Sequence, residues 1–495
     1  MRRIVAVLVL VELSSGIIQG YYTPLFTDIA RHLGIRDADV NWLEATQLMV
    51  SAVAVPLLAK LGDLWGHRRI LLFSAVATAI AAWGLVLAPS FPVFLIAWAL
   101  MGFYTAWLPL EIAIIHGASK RAALSSSVAL SSSVAQRSPA AQRSSAADGG
   151  APSDSAASTR KAAGILVGAL EFGVIAGALA GGALGELWAA HLAWVLAVPA
   201  VAVSLCCVAV ALGVPADQPD ASVSRILDAP GFLWLAAALL AVMGGLSLMR
   251  LNGPGDWSGW VALLFGLLLV FPLIRRELRA KEPLLDVRMM RDRSLWPVFL
   301  TSGLFGVSVL GAQAPLSTFA RTDPSAHGYG LGLSSGQVSM IIGVYVLALL
   351  AGALLFPVAC HWASPRRVLQ FASLLVGIGY LMFLPWHASL AEVLLNMGVA
   401  GLGSGALVAA LPAAAASAAP DGRTGMATGL TNATKTLGGA VASAVFGIAL
   451  IHGAAEVSST AAPLTGYLVV WGLSGGAALV SALLLSRVPR DAFTR

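Results

Sequence analysis

Apolar runs of about 20 residues recur along the whole chain and are separated by short polar breaks. As an α-helix, a run of about 20 residues crosses roughly 30 Å of hydrocarbon with its backbone hydrogen bonds satisfied internally. The pattern therefore predicts an all-α polytopic membrane protein with about 14 transmembrane helices. We place the spans near residues 4–25, 41–60, 69–88, 92–116, 162–188, 191–213, 229–249, 257–274, 296–319, 335–358, 367–386, 389–417, 425–452 and 463–486.

Composition supports a membrane protein and excludes several other classes. Hydrophobic residues make up 58% of the chain and charged residues 11%, whereas soluble domains carry about 25% charged residues. Basic residues lie in the loops and not on a polar face, so nucleic acid is not an expected partner. The 3 cysteines and the scattered histidines form no metal or disulfide pattern. No phosphate-binding glycine loop is present. We therefore predict a protein that is not an enzyme and has no cofactor or metal.

Charge distribution predicts the orientation. If the N-terminus is cytoplasmic, nearly all of the 30 Lys and Arg residues fall in cytoplasmic segments, as positively charged loops do in membrane proteins. We expect a multi-pass protein of the cell membrane, the inner or plasma membrane, with both termini cytoplasmic. The lipid bilayer is then its surroundings, and we expect a monomer.

An internal repeat predicts how the helices are organised. The segment His67–Phe73 (HRRILLF) recurs as Pro365–Phe371 (PRRVLQF), and duplicated helical halves are typical of secondary transporters. We predict a six-helix half over 1–213, two linking helices and a cytoplasmic loop over 214–294, and a second six-helix half over 295–495. The two halves are expected to be pseudo-symmetric. The Ser/Ala-rich stretch at about 118–159 is expected to be a disordered cytoplasmic insertion.

The loop after the second span, Lys60–Arg69 (KLGDLWGHRR), resembles the signature loop of the major facilitator superfamily. In that family this loop acts as a conformational latch. The resemblance implies such a role for Gly62, Asp63, Gly66, Arg68 and Arg69. The alternative is that the two arginines only fix the topology.

Nearly the whole chain outside the insertion resembles the fourteen-helix drug:proton antiporter branch of that superfamily. The fifth span carries the glycines of the branch's antiporter motif, in which small residues let helices pack closely; they are Gly173, Gly177, Gly181 and Gly182. Departures from the branch are also clear. Ser15 stands where the branch has an aspartate, Trp98 where it has an arginine, Met101 where it has a glutamine, and Lys435 where it usually has an arginine.

Ionisable residues deep in a bilayer are costly and are therefore functional candidates. Glu12, Glu171 and Lys435 are predicted near mid-depth. We expect Glu12 to be the proton or cation site, with Ser15 and Gln19 on the same helix face. Glu171 and Lys435 could equally serve packing or helix bridging, and Glu12 could be a carboxyl group without a transport role. Other glutamates are expected near span ends, where a charge reaches water; they are Glu44, Glu186 and Glu392 on the outer side and Glu111 on the cytoplasmic side.

A second face consists of Trp98, Met101 and Thr105, with Tyr104 beside it. An aromatic and thioether lining suits a lipophilic or cationic organic substrate. Packing between helices is the alternative explanation of this face.

These observations favour a secondary active transporter that exports small lipophilic or cationic organic compounds in exchange for protons by alternating access. The drug:proton antiporter resemblance implies multidrug resistance as the biological setting. Two alternatives remain open. One is an uncoupled or uptake facilitator of the same fold, and the other is a non-transporting membrane scaffold or sensor.

Overall fold

A computed structural model describes residues 2–119, 151–216, 228–280, 283, 286–419, 424–452 and 461–487. Most of the predicted disordered insertion lies outside these residues. Its last part does not, because helix α7 begins at Ala151, inside the stretch predicted as loop. The described residues are helical with no β-strand, so the predicted all-α polytopic fold is confirmed.

The described residues up to 213 form eight α-helices and three short 3₁₀ turns. The turns are Thr23–Leu25, Asp37–Val40 and Gly102–Ala106. The helices are α1 Arg2–Tyr21, α2 Phe26–Leu33, α3 Asn41–Trp65, α4 His67–Leu87, α5 Phe91–Met101, α6 107–119, α7 Ala151–Leu187 and α8 Leu192–Gly213.

The rest of the described chain is built in the same way. Its helices are α9 Ala229–Asn252, α10 Trp257–Arg279, α11 Val287–Met290, α12 Trp296–Phe305, α13 Gln313–Arg321, α14 Pro324–His327, α15 Ser335–Trp362, α16 Pro365–Met382, α17 Leu390–Ala418, α18 Thr424–His452 and α19 Leu464–Leu485. A π-helical turn, Gly306–Leu310, separates α12 from α13.

Thirteen helical segments of the described chain are long and apolar enough to cross a membrane. The remaining predicted span corresponds to α16, which has 18 residues and begins with Arg366 and Arg367 directly after Pro365. The sequence pattern predicts one uninterrupted helix at 92–116 and another at 296–319. In the structure both helices are interrupted. A 3₁₀ turn interrupts the first and a π turn the second.

Local sequence explains where several helices begin. Ser389 and Glu392 form a reciprocal capping box at the start of α17, as Ser334 and Gln337 do for α15. In each case two backbone N–H groups that have no helical partner are satisfied by side chains. Asp228 caps α9 by accepting a hydrogen bond from Gly231 N.

Buried apolar side chains form three clusters. One lies among α1–α8 and includes Trp107, and a second lies among α12–α19 and includes Trp471. The third joins α9 and α10 to α3 and α18 and includes Met243. The proposed boundaries between two halves and a linking pair remain a prediction.

The chain runs back and forth between two ends of the bundle, which we name after a residue at each. The Asp63 end carries the starts of α4 and α16, so both copies of the repeated segment lie there. The Arg321 end carries α2 and α14.

At the Arg321 end, polar contacts join α1–α8 to α12–α19. Arg321 Nη2 donates to Asp28 Oδ1 at 2.5 Å, and Ser317 Oγ donates to Thr23 O at 2.6 Å. Nearby, Gly336 N donates to a carboxylate oxygen of Glu186 at 3.0 Å. These contacts therefore hold the bundle closed at this end.

Some glycines toward the Asp63 end have open space around them. A Cβ atom added at Gly164 or Gly168 of α7, or at Gly429 of α18, would meet no atom within 4 Å.

Candidate functional site

Two glutamates from different helices lie side by side in the interior of the bundle. Glu12 of α1 and Glu111 of α6 are both fully buried, at 0% exposure. Their carboxyl groups are close enough to interact electrostatically. Within the described chain, none of their four oxygen atoms has a hydrogen-bond partner. No Lys, Arg or His of the described residues contributes to the electrostatics of the pair.

Glu12 is buried inside the bundle, and its predicted depth in the bilayer stays a prediction. The prediction for Glu111 was wrong. Glu111 was expected near a span end, where its charge would reach water. In the structure α6 runs on to residue 119 and α1 and α8 pack beside it, so the Glu111 side chain points inward. Glu111 lies about two helical turns before the end of α6, and each residue adds roughly 1.5 Å of rise. This distance from the helix end is the signal that could have identified Glu111 as buried.

A narrow cavity lies between the two groups of helices, and neither Glu12 nor Glu111 is among its lining residues. Its wall combines amide, carboxyl, aromatic and thioether side chains; the lining residues are Ile18, Gln19, Tyr22, Thr23, Glu44, Gln47, Leu48, Trp98, Met101, Tyr104, Leu310 and Gln313. Gln19 is exposed into this space, whereas Ser15 is buried at 4% exposure. The face predicted from Glu12, Ser15 and Gln19 therefore runs from the protein interior into the cavity.

The 3₁₀ turn Gly102–Ala106 determines which aromatic residue faces the cavity. Residues three apart are eclipsed in a 3₁₀ helix, so Tyr104 joins Trp98 and Met101 in the lining. Thr105, which an uninterrupted α-helix would place there, instead shares a 2.6 Å hydrogen bond with Ser51. The prediction for Thr105 was therefore wrong because the helix changes its winding.

Tyr104 connects the cavity to the carboxyl pair. Gln47 Nε2 donates to the Tyr104 hydroxyl at 3.3 Å. The Tyr104 ring lies in the electrostatic field of both Glu44 and Glu12. Tyr104 therefore lines the cavity and lies within electrostatic range of Glu12.

Glu171 and Lys435 lie on opposite sides of the space between α7 and α18. Each is the other's main charged neighbour. Among the described residues, however, they form no ion pair within 4 Å in this conformation. They are not part of the cavity wall.

The latch loop, residues 60–69, ties three helices together at the Asp63 end. Asp63 Oδ1 lies 3.1 Å from His67 Nε2, and Arg68 Nη2 donates to Ala211 O of α8 at 2.6 Å. Gly66 has φ +99°, a conformation that a residue with a side chain rarely adopts. A Cβ atom at Gly62 would come within 2.9 Å of Leu110. Arg69 is exposed.

The glycines of the predicted antiporter motif allow α7 to approach other helices backbone to backbone. A Cβ atom at Gly173 would come 2.5 Å from Leu13 O of α1, and one at Gly177 would come 2.7 Å from Ile17 Cα. Gly181 meets the Tyr21 backbone in the same way. Gly182 faces α15 instead, where a Cβ atom would come 2.5 Å from a side-chain oxygen. Close approach of this kind is what small residues provide in membrane helices.

The described residues contain no group of three or more His, Cys, Asp or Glu side chains arranged to hold a metal ion.

Comparisons with known proteins agree with these features. A family model described as Major Facilitator Superfamily matches residues 8–140. The chain is 24% identical over 454 residues to the "Multidrug resistance protein Stp" of Mycobacterium tuberculosis (strain CDC 1551 / Oshkosh), covering 88% of this chain and 73% of that protein. It is 22% identical over 429 residues to the "Tetracenomycin C resistance and export protein" of Streptomyces glaucescens, covering 85% and 70%.

Solved structures share the fold. The crystal structure of the POT family transporter PepTSo superposes with a TM-score of 0.63 at 12% sequence identity, covering 100% of this chain and 99% of that one. At this identity the likeness concerns the fold alone.

Proposed function

The chain belongs to the major facilitator superfamily, and from that premise we propose that it is a proton-coupled exporter of small organic compounds. The buried pair of Glu12 and Glu111 is the observation that carries this proposal, and the helix that holds Glu12 also contributes Gln19 to the cavity wall. Relatives whose names describe drug resistance and export support the direction of transport.

The pair is suited to hold a proton. An ionised carboxylate without a hydrogen bond or a cation costs several kcal/mol inside a protein, and two carboxylates that share a site repel each other. The pair therefore carries at least one proton whenever it is closed off from water. Losing that proton requires water or a cation to reach the pair.

Alternating access provides that change of surroundings. Tyr104 lines the cavity and lies within electrostatic range of Glu12, and we propose that rearrangement of the cavity wall around a bound compound is transmitted to Glu12 through it. We propose that the 1–213 and 295–495 halves rock against each other, with 214–294 as the link. The Asp63 end then faces the cytoplasm, both termini are cytoplasmic, and a monomer performs the cycle in the cell membrane.

The latch loop and the packing glycines are assigned to this rocking motion. Arg68 at Ala211 O holds the α3–α4 turn to α8, and the α1–α7 contact moves as one unit because glycines bring the backbones together. Glu171 and Lys435 are proposed to approach each other when the Asp63 end closes.

The test is transport in proteoliposomes by Glu12→Gln and Glu111→Gln. The amide keeps the size of the side chain but cannot ionise. We expect each substitution to abolish transport driven by a pH gradient, because the proton can no longer be released. Exchange of labelled for unlabelled compound without a gradient is expected to persist, because exchange needs no net proton movement.

Glu392→Gln is the matched control. It removes a glutamate from a helix end far from the cavity, and glutamine still serves in the capping box. Gradient-driven transport that survives in Glu12→Gln and Glu111→Gln at the control's rate would refute proton coupling through this pair. Such a result would favour the uncoupled facilitator.

A further inference from the structure

The outer face of α10 is an apolar stripe that ends in arginines. Leu264, Leu268 and Phe271 follow one another at helical spacing on this face, and each is more than half exposed. Arg275 and Arg279 continue the same stripe toward the end of the helix and are also exposed. Few residues of α10 are buried in the bundle, so in a membrane the apolar stripe lies against lipid.

The arginines lie at the depth where the hydrocarbon of a membrane ends. Trp257 and Trp260 are exposed in the first turn of α10, and tryptophans are typical of the boundary between hydrocarbon and headgroups. Arg250, at the end of α9, pairs with Asp39 next to α2, so α10 runs back toward the Asp63 end. Arg275 lies roughly 27 Å farther along the helix axis than Trp257, at about 1.5 Å per residue. Since the hydrocarbon layer is roughly 30 Å thick, we expect Arg275 to meet the lipid headgroups at the Asp63 end.

A third arginine comes from a different helix. Arg288 of α11 donates through Nη2 to Leu278 O at 2.7 Å, so its guanidinium group lies against the last turn of α10. Met289 beside it is buried. Asp286 caps α11 by accepting hydrogen bonds from the backbone N–H groups of Arg288 and Met289. Backbone capping and burial of its neighbour therefore hold Arg288 at the end of α10.

No acidic side chain of the described residues pairs with these three arginines. We call the three the arginine cluster; they are Arg275, Arg279 and Arg288. None of them forms an ion pair within 4 Å in the described part of the chain, whereas Arg276 beside them is paired with Asp228. The Arg275 guanidinium lies 4.6 Å from the centroid of the Phe271 ring, a cation-π contact that joins the charge to the apolar stripe. The surface therefore offers positive charge directly beside apolar area.

We propose that the arginine cluster binds the phosphate of an anionic phospholipid whose acyl chains lie along the apolar stripe of α10. A guanidinium group donates parallel hydrogen bonds that match phosphate oxygens, and basic residues next to a membrane helix attract anionic lipids. The charge and the apolar stripe follow each other in the order in which a phospholipid presents its phosphate and its chains. The inference goes beyond the proposed function, since it concerns a lipid partner and not the transported compound.

Lipid binding to the delipidated full-length protein in detergent tests the assignment. Dioleoylphosphatidylglycerol carries a net negative charge, and dioleoylphosphatidylcholine has the same chains but no net charge. Native mass spectrometry measures the binding of each lipid over a series of lipid concentrations. The variants are Arg275→Gln, Arg279→Gln, Arg288→Gln and Arg279→Lys, with Arg367→Gln as the control. Arg367 is exposed at the start of α16, also at the Asp63 end.

We expect the unaltered protein to bind phosphatidylglycerol at least about tenfold more tightly than phosphatidylcholine. Each replacement of a cluster arginine by glutamine should weaken phosphatidylglycerol binding about fivefold, since one basic residue beside an anionic lipid contributes about 1 kcal/mol. Phosphatidylcholine binding should stay unchanged in these variants. Arg279→Lys keeps the charge and should retain most of the affinity, and Arg367→Gln should match the unaltered protein.

Three results would overturn the proposal. Equal affinities of the unaltered protein for the two lipids would show that the headgroup charge is not recognised. An equal loss of phosphatidylglycerol binding in Arg367→Gln and Arg279→Gln would show that the lipid responds to the general positive charge of this end and not to the arginine cluster. Displacement of phosphatidylglycerol by millimolar inorganic phosphate would show that the arginines bind free phosphate and that the chains along α10 contribute nothing.

Discussion

The ion pair between Asp28 and Arg321 should hold the bundle shut at the Arg321 end. The two side chains come from α2 and α13 and meet at 2.5 Å. Replacing Asp28 by Asn keeps the size and the hydrogen-bonding capacity of the side chain but removes its charge. We expect Asp28→Asn to increase the population of molecules that are open at this end.

The magnitude follows from burial. The Arg321 and Asp28 side chains are 11% and 26% exposed. An exposed ion pair stabilises a structure by about 0.2–1 kcal/mol, and removing one partner of a buried pair costs about 3–5 kcal/mol. We expect the cost of losing this pair to lie between these values. A loss of about 1.4 kcal/mol corresponds to a tenfold change in an equilibrium constant. We therefore expect the open state to become about tenfold more populated.

Thiol labelling in proteoliposomes measures this population. A single cysteine at Gln313, which lines the cavity, is introduced into a chain whose Cys206, Cys207 and Cys360 are replaced by serine. A membrane-impermeant maleimide added on the side of the Arg321 end reaches this cysteine only when that end opens. The labelling rate should rise about tenfold in Asp28→Asn, in proportion to the open population.

Two further variants separate the ion pair from general loosening. Asp323→Asn alters a carboxylate at the same end that accepts hydrogen bonds from the backbone N–H and the hydroxyl of Ser325 within its own turn, and it should leave the rate unchanged. Exchanging the charges, with Asp28→Arg and Arg321→Asp together, should bring the rate back toward the starting value. An unchanged rate in Asp28→Asn, or a faster rate in Asp323→Asn, would show that this pair is not the barrier.

Two stability predictions concern the packing of the helices, and both are measured as the thermal unfolding midpoint in detergent. Gly177→Ala places a Cβ atom 2.7 Å from Ile17 Cα, and this overpacking should lower the stability by about 1–3 kcal/mol. Gly168 has open space around it, so Gly168→Ala should leave the stability unchanged. Equal midpoints for the two variants would contradict the close α1–α7 contact. Arg250→Gln removes the closer of two arginine partners of Asp39, which lies at 2.6 Å with both side chains largely buried, and should lower the midpoint. No shift in Arg250→Gln would mean that this pair does not anchor α9 to the 3₁₀ turn before α3.

The sequence predicted most helices because their apolar stretches are long and their boundaries carry clear polar signals. The α15 start at Ser334 and the repeated Arg pairs at the starts of α4 and α16 are examples. Changes of helical winding at Gly102 and Gly306 were missed, since a 3₁₀ or π turn leaves the apolar pattern almost unaltered.

The candidate site was predicted only in part. Depth along a single helix identified Glu12, because a carboxyl group at mid-span is rare and costly. The pairing of Glu12 with Glu111 and the opening of Glu44 into a cavity depend on how α1, α3 and α6 are rotated about their axes. Rotation is determined by packing between helices, and the residue pattern of one helix does not specify it.

The π turn between α12 and α13 has a mechanical consequence. Gln313 and Arg321 lie at opposite ends of one nine-residue helix, α13, a distance of roughly 12 Å at 1.5 Å per residue. That helix is attached to α12 through a locally unwound joint, so it can tilt as a rigid rod. Any tilt that separates Arg321 from Asp28 also displaces Gln313 in the wall of the cavity. Opening at the Arg321 end and reshaping of the cavity are therefore coupled through the tilt of α13.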